Sequence, residues 1–459
     1  MTTSTSQNTH ETDTANNASC TTISTILTLA IPTFGQLIAE PAFVLIDTAI
    51  VGHIGGQALA GMSVGSTIVL TVVGLCVFLA YSTTTRVGRL LGAGKRSEGL
   101  EAGIDGLWLA GIIGVVVSVA LFVIARPLCT AMGAQGSVLH NAVDYVRAVV
   151  FGIPGMLLVY AANGIFRGLQ KVRITLIAAM VGAILNTLLD LLFILGFGWG
   201  VFGSGVATLI SQWFMAVVLI VPSVLWTRAG GVRLRPRLSG VLNSAGDGAV
   251  LFLRTLALRA CLVANVVLAT HMGVEVLAAY QVVNSSWNFV LNMLDAIGIA
   301  GQTLVAAQIG ARQEDEAMRL TRIAGKAGLC GGMVIGIGLM IAGWCASPLF
   351  SQSTEIQHLL TVGMMVVGVT LPLAGWMWAV DGILIGAGDY RYLALTCAAT
   401  AAIYVPCLAA IGWICDAMQA SSVLRMALLW LAVNLLFVGL RAIFNGFRIG
   451  TSTWLHIAR

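Results

Sequence analysis

The chain has 459 residues, of which 58% are hydrophobic and only 9% are charged, against about 25% charged in a soluble domain. That leaves too little polar surface to cover a globule in water, so the solvent is lipid. The formal net charge of +5 carries no nucleic-acid signal, because its distribution matters more than its sum, and no nucleic-acid partner is expected.

In chain order, residues 1–23 are polar, rich in Thr, Ser and Asn, and lack a basic start or cleavage site. They are expected to form a disordered tail rather than a signal peptide. Twelve apolar runs follow, at 24–51, 60–85, 104–128, 142–166, 174–197, 202–226, 247–271, 278–305, 322–346, 358–386, 392–415 and 424–447. They are far longer than the roughly 10-residue alternating strands of a membrane barrel, so the expected fold class is an all-α integral membrane protein with 12 transmembrane helices. Loops after even-numbered spans and the C-terminal end hold 19 of the 24 Lys and Arg. Both termini are therefore expected in the cytoplasm.

One register organises the chain. His53 and His271, Gly55 and Gly273, Leu59 and Leu277, Thr85 and Thr303, Gly92 and Gly310, Glu98 and Glu316, and Pro154 and Pro372 all lie 218 residues apart. This predicts two homologous six-helix lobes of the same orientation, 24–226 and 247–449, related by an axis along the membrane normal. A basic stretch, 227–246, links them on the cytoplasmic side, and 450–459 is a cytoplasmic tail.

Chemistry needs buried polar groups, and few exist. Asp47 and Glu40 stand near the middle of span 1, where a carboxylate costs roughly 2.5–3.5 kcal/mol. Seven residues apart, they share one helix face with each other, as Asn186 and Asp190 do in span 5. Tyr145 and Asn163 in span 4 and Thr208 in span 6 add hydroxyl and amide oxygens. Such a set suits a shared proton or a hard monovalent cation. The plainer reading is interhelical packing hydrogen bonds. Pro32 would bend span 1. In the second half Asn265 replaces Asp47, Leu408 replaces Asp190, and Asp381 and Asp295 stand where the first half has Asn163 and Val77. Arg254 and Arg259 in span 7 call for acidic partners, with Asp295 or Glu40 as candidates, in either an ion pair or a substrate contact. Nine cysteines without CxxC spacing read as small hydrophobes. The histidine pair His53 and His271 reads as helix-end capping, so no metal is expected beyond Na⁺ at the acidic cluster.

The motifs LIDTAIVGHIGGQALAG (45–61), NTLLDLLF (186–193) and LDAIGIAGQTLVAAQIGA (294–311) resemble the multidrug and toxic compound extrusion (MATE) family, and within it the DinF branch. The resemblance covers nearly the whole chain after the tail. It implies a V-shaped pair of six-helix lobes that export organic, often cationic or amphipathic, compounds in exchange for H⁺ or Na⁺, with no other cofactor. By position, the family's N-lobe cation cluster falls on Asp47, Tyr145, Asn163, Asn186, Asp190 and Thr208, and its helix-bending proline on Pro32. NorM-type members keep an acid in span 7 where this chain has Asn265 and arginines, which argues against a C-lobe Na⁺ site. Asp295 and Asp381 match the family only in part. Cation-coupled antiport by a monomer is the expected function, with Asp47 and Asp190 neutralised as span 1 rearranges. A lipid or lipid-linked glycan flippase is the nearest rival, followed by a passive channel. A membrane enzyme is not expected, since no clustered nucleophile, metal or acid–base set appears at either membrane face.

Overall fold

The computed structural model describes the backbone of residues 5–231, 234–345, 347–351 and 353–457, and side chains from Ile23 onward except Glu40, Phe43, Leu349, Phe350 and those at the backbone gaps. No strand occurs among the described residues. Twelve helices are long and apolar enough to cross a membrane: span 1 Ile23–Gly52, span 2 Gly56–Gly92, span 3 Arg96–Ala131, span 4 Gly136–Gly168, span 5 Val172–Gly196, span 6 Gly200–Ala229, span 7 Leu238–His271, span 8 Val274–Gly310, span 9 Glu314–Cys345, span 10 Thr354–Gly386, span 11 Tyr390–Ala417 and span 12 Ser422–Gly450.

Every expected span is present, and most run several residues further. Helices continue through their polar flanks until a residue leaves helical φ/ψ, and hydropathy does not register that point. Gly94, Gly133 and Gly388 have φ of 75°, 87° and 68°. The repeat partners Gly55 and Gly273 stand at φ 149° and 124° in the turns before spans 2 and 8. The first helix begins at Thr5, inside the stretch expected to be an unstructured tail. No Gly or Pro interrupts residues 5–22, so nothing local stops the helix. The 227–246 linker is also shorter than expected, because span 6 reaches Ala229 and span 7 starts at Leu238.

Contacts divide the chain into two compact units. One is Gly35–Phe252; the other joins the residues up to Phe34 to Leu253–Arg459. Span 1 therefore changes unit between Phe34 and Gly35, three residues after Pro32. Thr33 Oγ1 back-donates to the Leu29 carbonyl at 2.7 Å, and such bonds bend helices. Pro41, a second proline in the same span, removes another main-chain donor.

In the first unit, the start of span 7 is held by Arg86, whose Nε lies 3.2 Å from Asp247 Oδ2 and whose Nη1 donates to Ser244 Oγ at 2.7 Å. Phe78 packs edge-on to Phe252. This is why the unit extends to Phe252 rather than stopping at the linker. In the second unit, Gly328, Gly332 and Gly336 on span 9 face Gly375, Leu371 and Gly368 on span 10. A Cβ at Gly328 would fall 2.3 Å from the Gly375 carbonyl oxygen and one at Gly336 2.3 Å from that of Gly368. Without a hydrophobic force between helices in lipid, such close backbone approach supplies the association energy.

Candidate functional site

Asp47, Asn186 and Asp190 form one node inside the first unit. Asn186 Nδ2 donates to Asp47 Oδ1 at 2.7 Å and to Asp190 Oδ2 at 2.9 Å. The four-residue spacing of Asn186 and Asp190 puts both on one face of span 5, and Asp47 meets them from span 1. The two carboxylates are 1% and 0% exposed. Neither is in an ion pair with Lys, Arg or His among the described residues. Immediately after Asp190 the helix widens into a π turn over Leu191–Gly196, a local irregularity often found at functional sites.

Spans 4 and 6 complete the surroundings. Buried Tyr145 faces both carboxylates, with the Thr208 side chain beside its hydroxyl and Ser204 beside Asp190. Gly65 on span 2 makes room for Tyr145: a Cβ there would lie 2.7 Å from the ring. Ser204 Oγ, Thr208 Oγ1 and Asp190 Oδ1 are buried and make no hydrogen bond of ideal geometry, Ser204 having Asp190 and Thr208 having the Tyr145 hydroxyl as polar neighbours. A buried oxygen left fully unsatisfied costs roughly 1–3 kcal/mol, so the grouping of three poorly bonded ones around two carboxylates needs a reason. Carboxylate and hydroxyl oxygens are the donor set of a hard cation, and adjacent carboxylates equally suit one shared proton.

The node is not at mid-span, as the sequence suggested. Asp47 lies five residues from Gly52 and Asp190 six from Gly196, about 8–9 Å from those ends at a rise of ~1.5 Å per residue. The apolar run of span 1, 24–51, itself closes only four residues beyond Asp47, so the position near the helix end follows from the run's own limits. Tyr145 and Thr208 enter from the starts of spans 4 and 6, on the same side of the membrane.

Asn163 does not join the node. Its Oδ1 has no hydrogen-bond partner, and it lines a separate cavity of about 60 Å³ with Gln36, Tyr160, Thr175, Gln212 and Met215, large enough for a few water molecules. Gln36 accepts a hydrogen bond from Arg167 Nη2 at 3.0 Å. Arg167 is buried within its helix rather than standing in a basic loop. Glu40 lies outside the described side chains. Pro32 sits within span 1 next to the change of unit.

The second unit puts Asp381 in a buried ion-pair cluster. Its Oδ2 accepts from Arg254 Nη2. Arg441 Nη2 lies 3.3 Å from the same carboxylate oxygen and Asn445 donates to the other at 3.1 Å. Hydropathy placed Arg441 in the terminal basic cluster; it is buried, with its guanidinium 5.1 Å from the Trp378 ring centre. Asp381 is thus a saturated ion-pair partner. Arg259 is exposed on span 7 and Asp295 half-buried on span 8. Tyr404 Oη donates to Asn265 Oδ1, both side chains being buried. His53 Nδ1 donates to the Ala49 carbonyl at 2.7 Å, a helix-end contact. No group of three or more His, Cys, Asp or Glu that could hold a metal occurs among the described residues.

Sequence reading missed Ser204, Pro41, Tyr404 and Asn445. Only Ser204 carried a legible signal, since Ser204, Thr208 and Ser211 recur on one face of span 6.

The MatE family model matches this chain twice, over residues 32–192 and 251–411. The two matches together cover more than two thirds of the chain, in stretches of equal length. The DNA damage-inducible protein F of Escherichia coli (strain K12) is 26% identical over 423 residues, covering 90% of this chain and 89% of that protein. Protein DETOXIFICATION 42 of Arabidopsis thaliana is 25% identical over 487 residues, covering 93% and 92%. Among solved structures, the Vibrio cholerae MATE transporter VcmN in its bent form aligns with a TM-score of 0.85 at 19% identity, over 96% of this chain and 99% of that one; this likeness concerns the fold alone. With twelve spans, a doubled six-helix pattern and two matches to one family model, the chain belongs to the MatE family of multidrug and toxic compound extrusion transporters, as a multi-pass membrane protein.

Proposed function

We propose that the protein is a secondary antiporter that exports organic, often cationic or amphipathic, compounds in exchange for inward H⁺ or Na⁺, with Asp47 and Asp190 as the coupling pair. The observation that carries this reading is the single Asn186 amide bridging two buried carboxylates that have no cationic side chain paired with them among the described residues. Two negative charges held side by side in low dielectric repel and are expensive. One proton shared between them, or one Na⁺ ligated by them with the Ser204 and Thr208 oxygens, relieves that cost. Tyr145 limits water access to the pair. Asn163 belongs to the neighbouring cavity and acts on the pair only indirectly.

Ion binding makes this end of spans 1 and 5 nearly neutral, and the free-energy change is available to rebend span 1. Pro32, Thr33 and Pro41 weaken that helix where it passes from one compact unit to the other. Rebending releases substrate, and loss of the ion on the other side resets the pair. Each positive charge moved inward down the membrane potential contributes roughly 2.3 kcal/mol per 100 mV.

The two halves act as homologous six-helix lobes, 24–226 and 247–449. Equal separations support this: 139 residues divide Asp47 from Asn186 and also Asn265 from Tyr404. A monomer suffices, since one chain supplies every residue of the node. The exposed basic residues after even-numbered spans support a cell membrane location with both termini cytoplasmic. In proteoliposomes loaded with a dye or bile-salt-like amphiphile, an imposed proton or Na⁺ gradient is expected to drive export. Export that ignores both gradients would refute antiport.

A further inference from the structure

Outside the coupling node, the first unit carries an apolar groove of about 660 Å³. Its walls are Ile104, Trp108 and Val115 of span 3, Leu158 of span 4, and Trp213 and Val224 of span 6. The volume is that of a small-molecule site, about 300–1,000 Å³. Its origin is local. Spans 3 and 4 touch at Gly114, where a Cβ would lie 2.6 Å from Pro154 Cα. One turn earlier, a Cβ at Gly111 would meet only Leu158, at 4.0 Å, so the two helices part there.

Depth and charge identify the occupant. Ile104 to Val116, both lining residues, is a run of about 18 Å at ~1.5 Å per residue, close to one leaflet of a hydrocarbon core ~30 Å thick. At the linker end, Leu234 closes the groove, and its carbonyl accepts from Trp108 Nε1 at 3.2 Å. Arg237 is tied down there, its Nη1 2.9 Å from Glu101 and its main-chain N–H donating to Asp105 at 2.9 Å. Both rim acids are thereby engaged. Arg228 follows the lining residue Val224 by four positions on the same helix face, and Arg235 follows Leu234; both are exposed and neither is in an ion pair among the described residues. An apolar slot one leaflet deep, with a tryptophan in its wall and two exposed arginines that follow its lining residues Val224 and Leu234 in sequence, has the chemistry of a phospholipid site.

We propose that this groove holds one anionic membrane phospholipid, an acyl chain lying along spans 3, 4 and 6 and the headgroup phosphate on Arg228 and Arg235. The bound lipid fills the gap between spans 3 and 6 and holds Leu234 and Arg235 against it. This site is separate from the coupling node and stands whether or not Asp47 and Asp190 carry the ion.

The test is native mass spectrometry of the full chain in detergent, offered phosphatidylglycerol and phosphatidylcholine in equal amounts. The wild type is expected to retain one phospholipid, with at least fivefold preference for phosphatidylglycerol. Gly111→Leu and Val115→Trp, which fill the groove, are expected to lower occupancy at least fivefold. Arg228→Gln/Arg235→Gln, at exposed positions where folding is not at stake, is expected to keep a lipid but lose the headgroup preference. Equal retention of the two lipids by the wild type, an unchanged preference in the arginine double variant, or displacement of the lipid by a transported dye would each overturn the proposal.

Discussion

The two halves place a buried polar bond at the same repeat position and fill it with opposite chemistry. In the first, Asp47 and Asp190 share the Asn186 amide. In the second, the equivalents are Asn265, Leu408 and Tyr404, and a phenol donates to an amide oxygen. The contrast reverses one layer away. Gln36 and Asn163, uncharged and bordering a cavity in the first half, correspond to Arg254 and Asp381, which are locked with Arg441 in the second. Duplication preserved the geometry, and divergence decided which half holds its carboxylates without a cation. Asp381 is already neutralised by two arginines, whereas the first half's acid pair has only an amide between its members, which is the ground for the proposed coupling role.

This contrast can be broken from either side. The largest effect is expected at Asp47 or Asp190: either changed to Asn should reduce gradient-driven dye export in proteoliposomes to the level of empty liposomes, with the protein still folded. Next is Asp381→Asn, which removes the carboxylate that the buried Arg254 and Arg441 share. Removing one partner of such a pair costs about 3–5 kcal/mol, to be read as lower thermal stability in detergent. The double variant Arg254→Gln/Asp381→Asn restores the first half's residues and is expected to recover part of that loss; strict additivity would contradict the pairing. Asn186→Leu removes hydrogen bonds to charged groups, each worth about 1.5–3 kcal/mol, so ion half-saturation is expected to shift roughly 10–100-fold. The smallest change is Tyr404→Phe. An interhelical hydrogen bond in a membrane averages about 0.6 kcal/mol, so stability should fall slightly and coupling not at all.

The span count and the 218-residue register were legible because hydropathy and repetition are properties of the string itself. The Asp47–Asn186–Asp190 node was legible because uncompensated polar residues in apolar runs must find one another. Partners across distant helices were not. Arg254 meets Asp381 because spans 7 and 10 pack together there, and no periodicity within one helix reports that contact. Arg167 and Arg441 looked like loop charges because each lies at the edge of an apolar run, yet both helices continue past them and bury them. Asn163 shared a residue type with the node but faces another cavity, a distinction that depends on helix rotation.

The most direct measurement is substrate-driven counterflux of H⁺ and Na⁺ through wild-type and Asp47→Asn protein in proteoliposomes. The wild type should move one of the two cations inward as substrate leaves, and the variant neither, although it still binds substrate. Undiminished counterflux through the variant would contradict the assignment of coupling to the carboxylate pair.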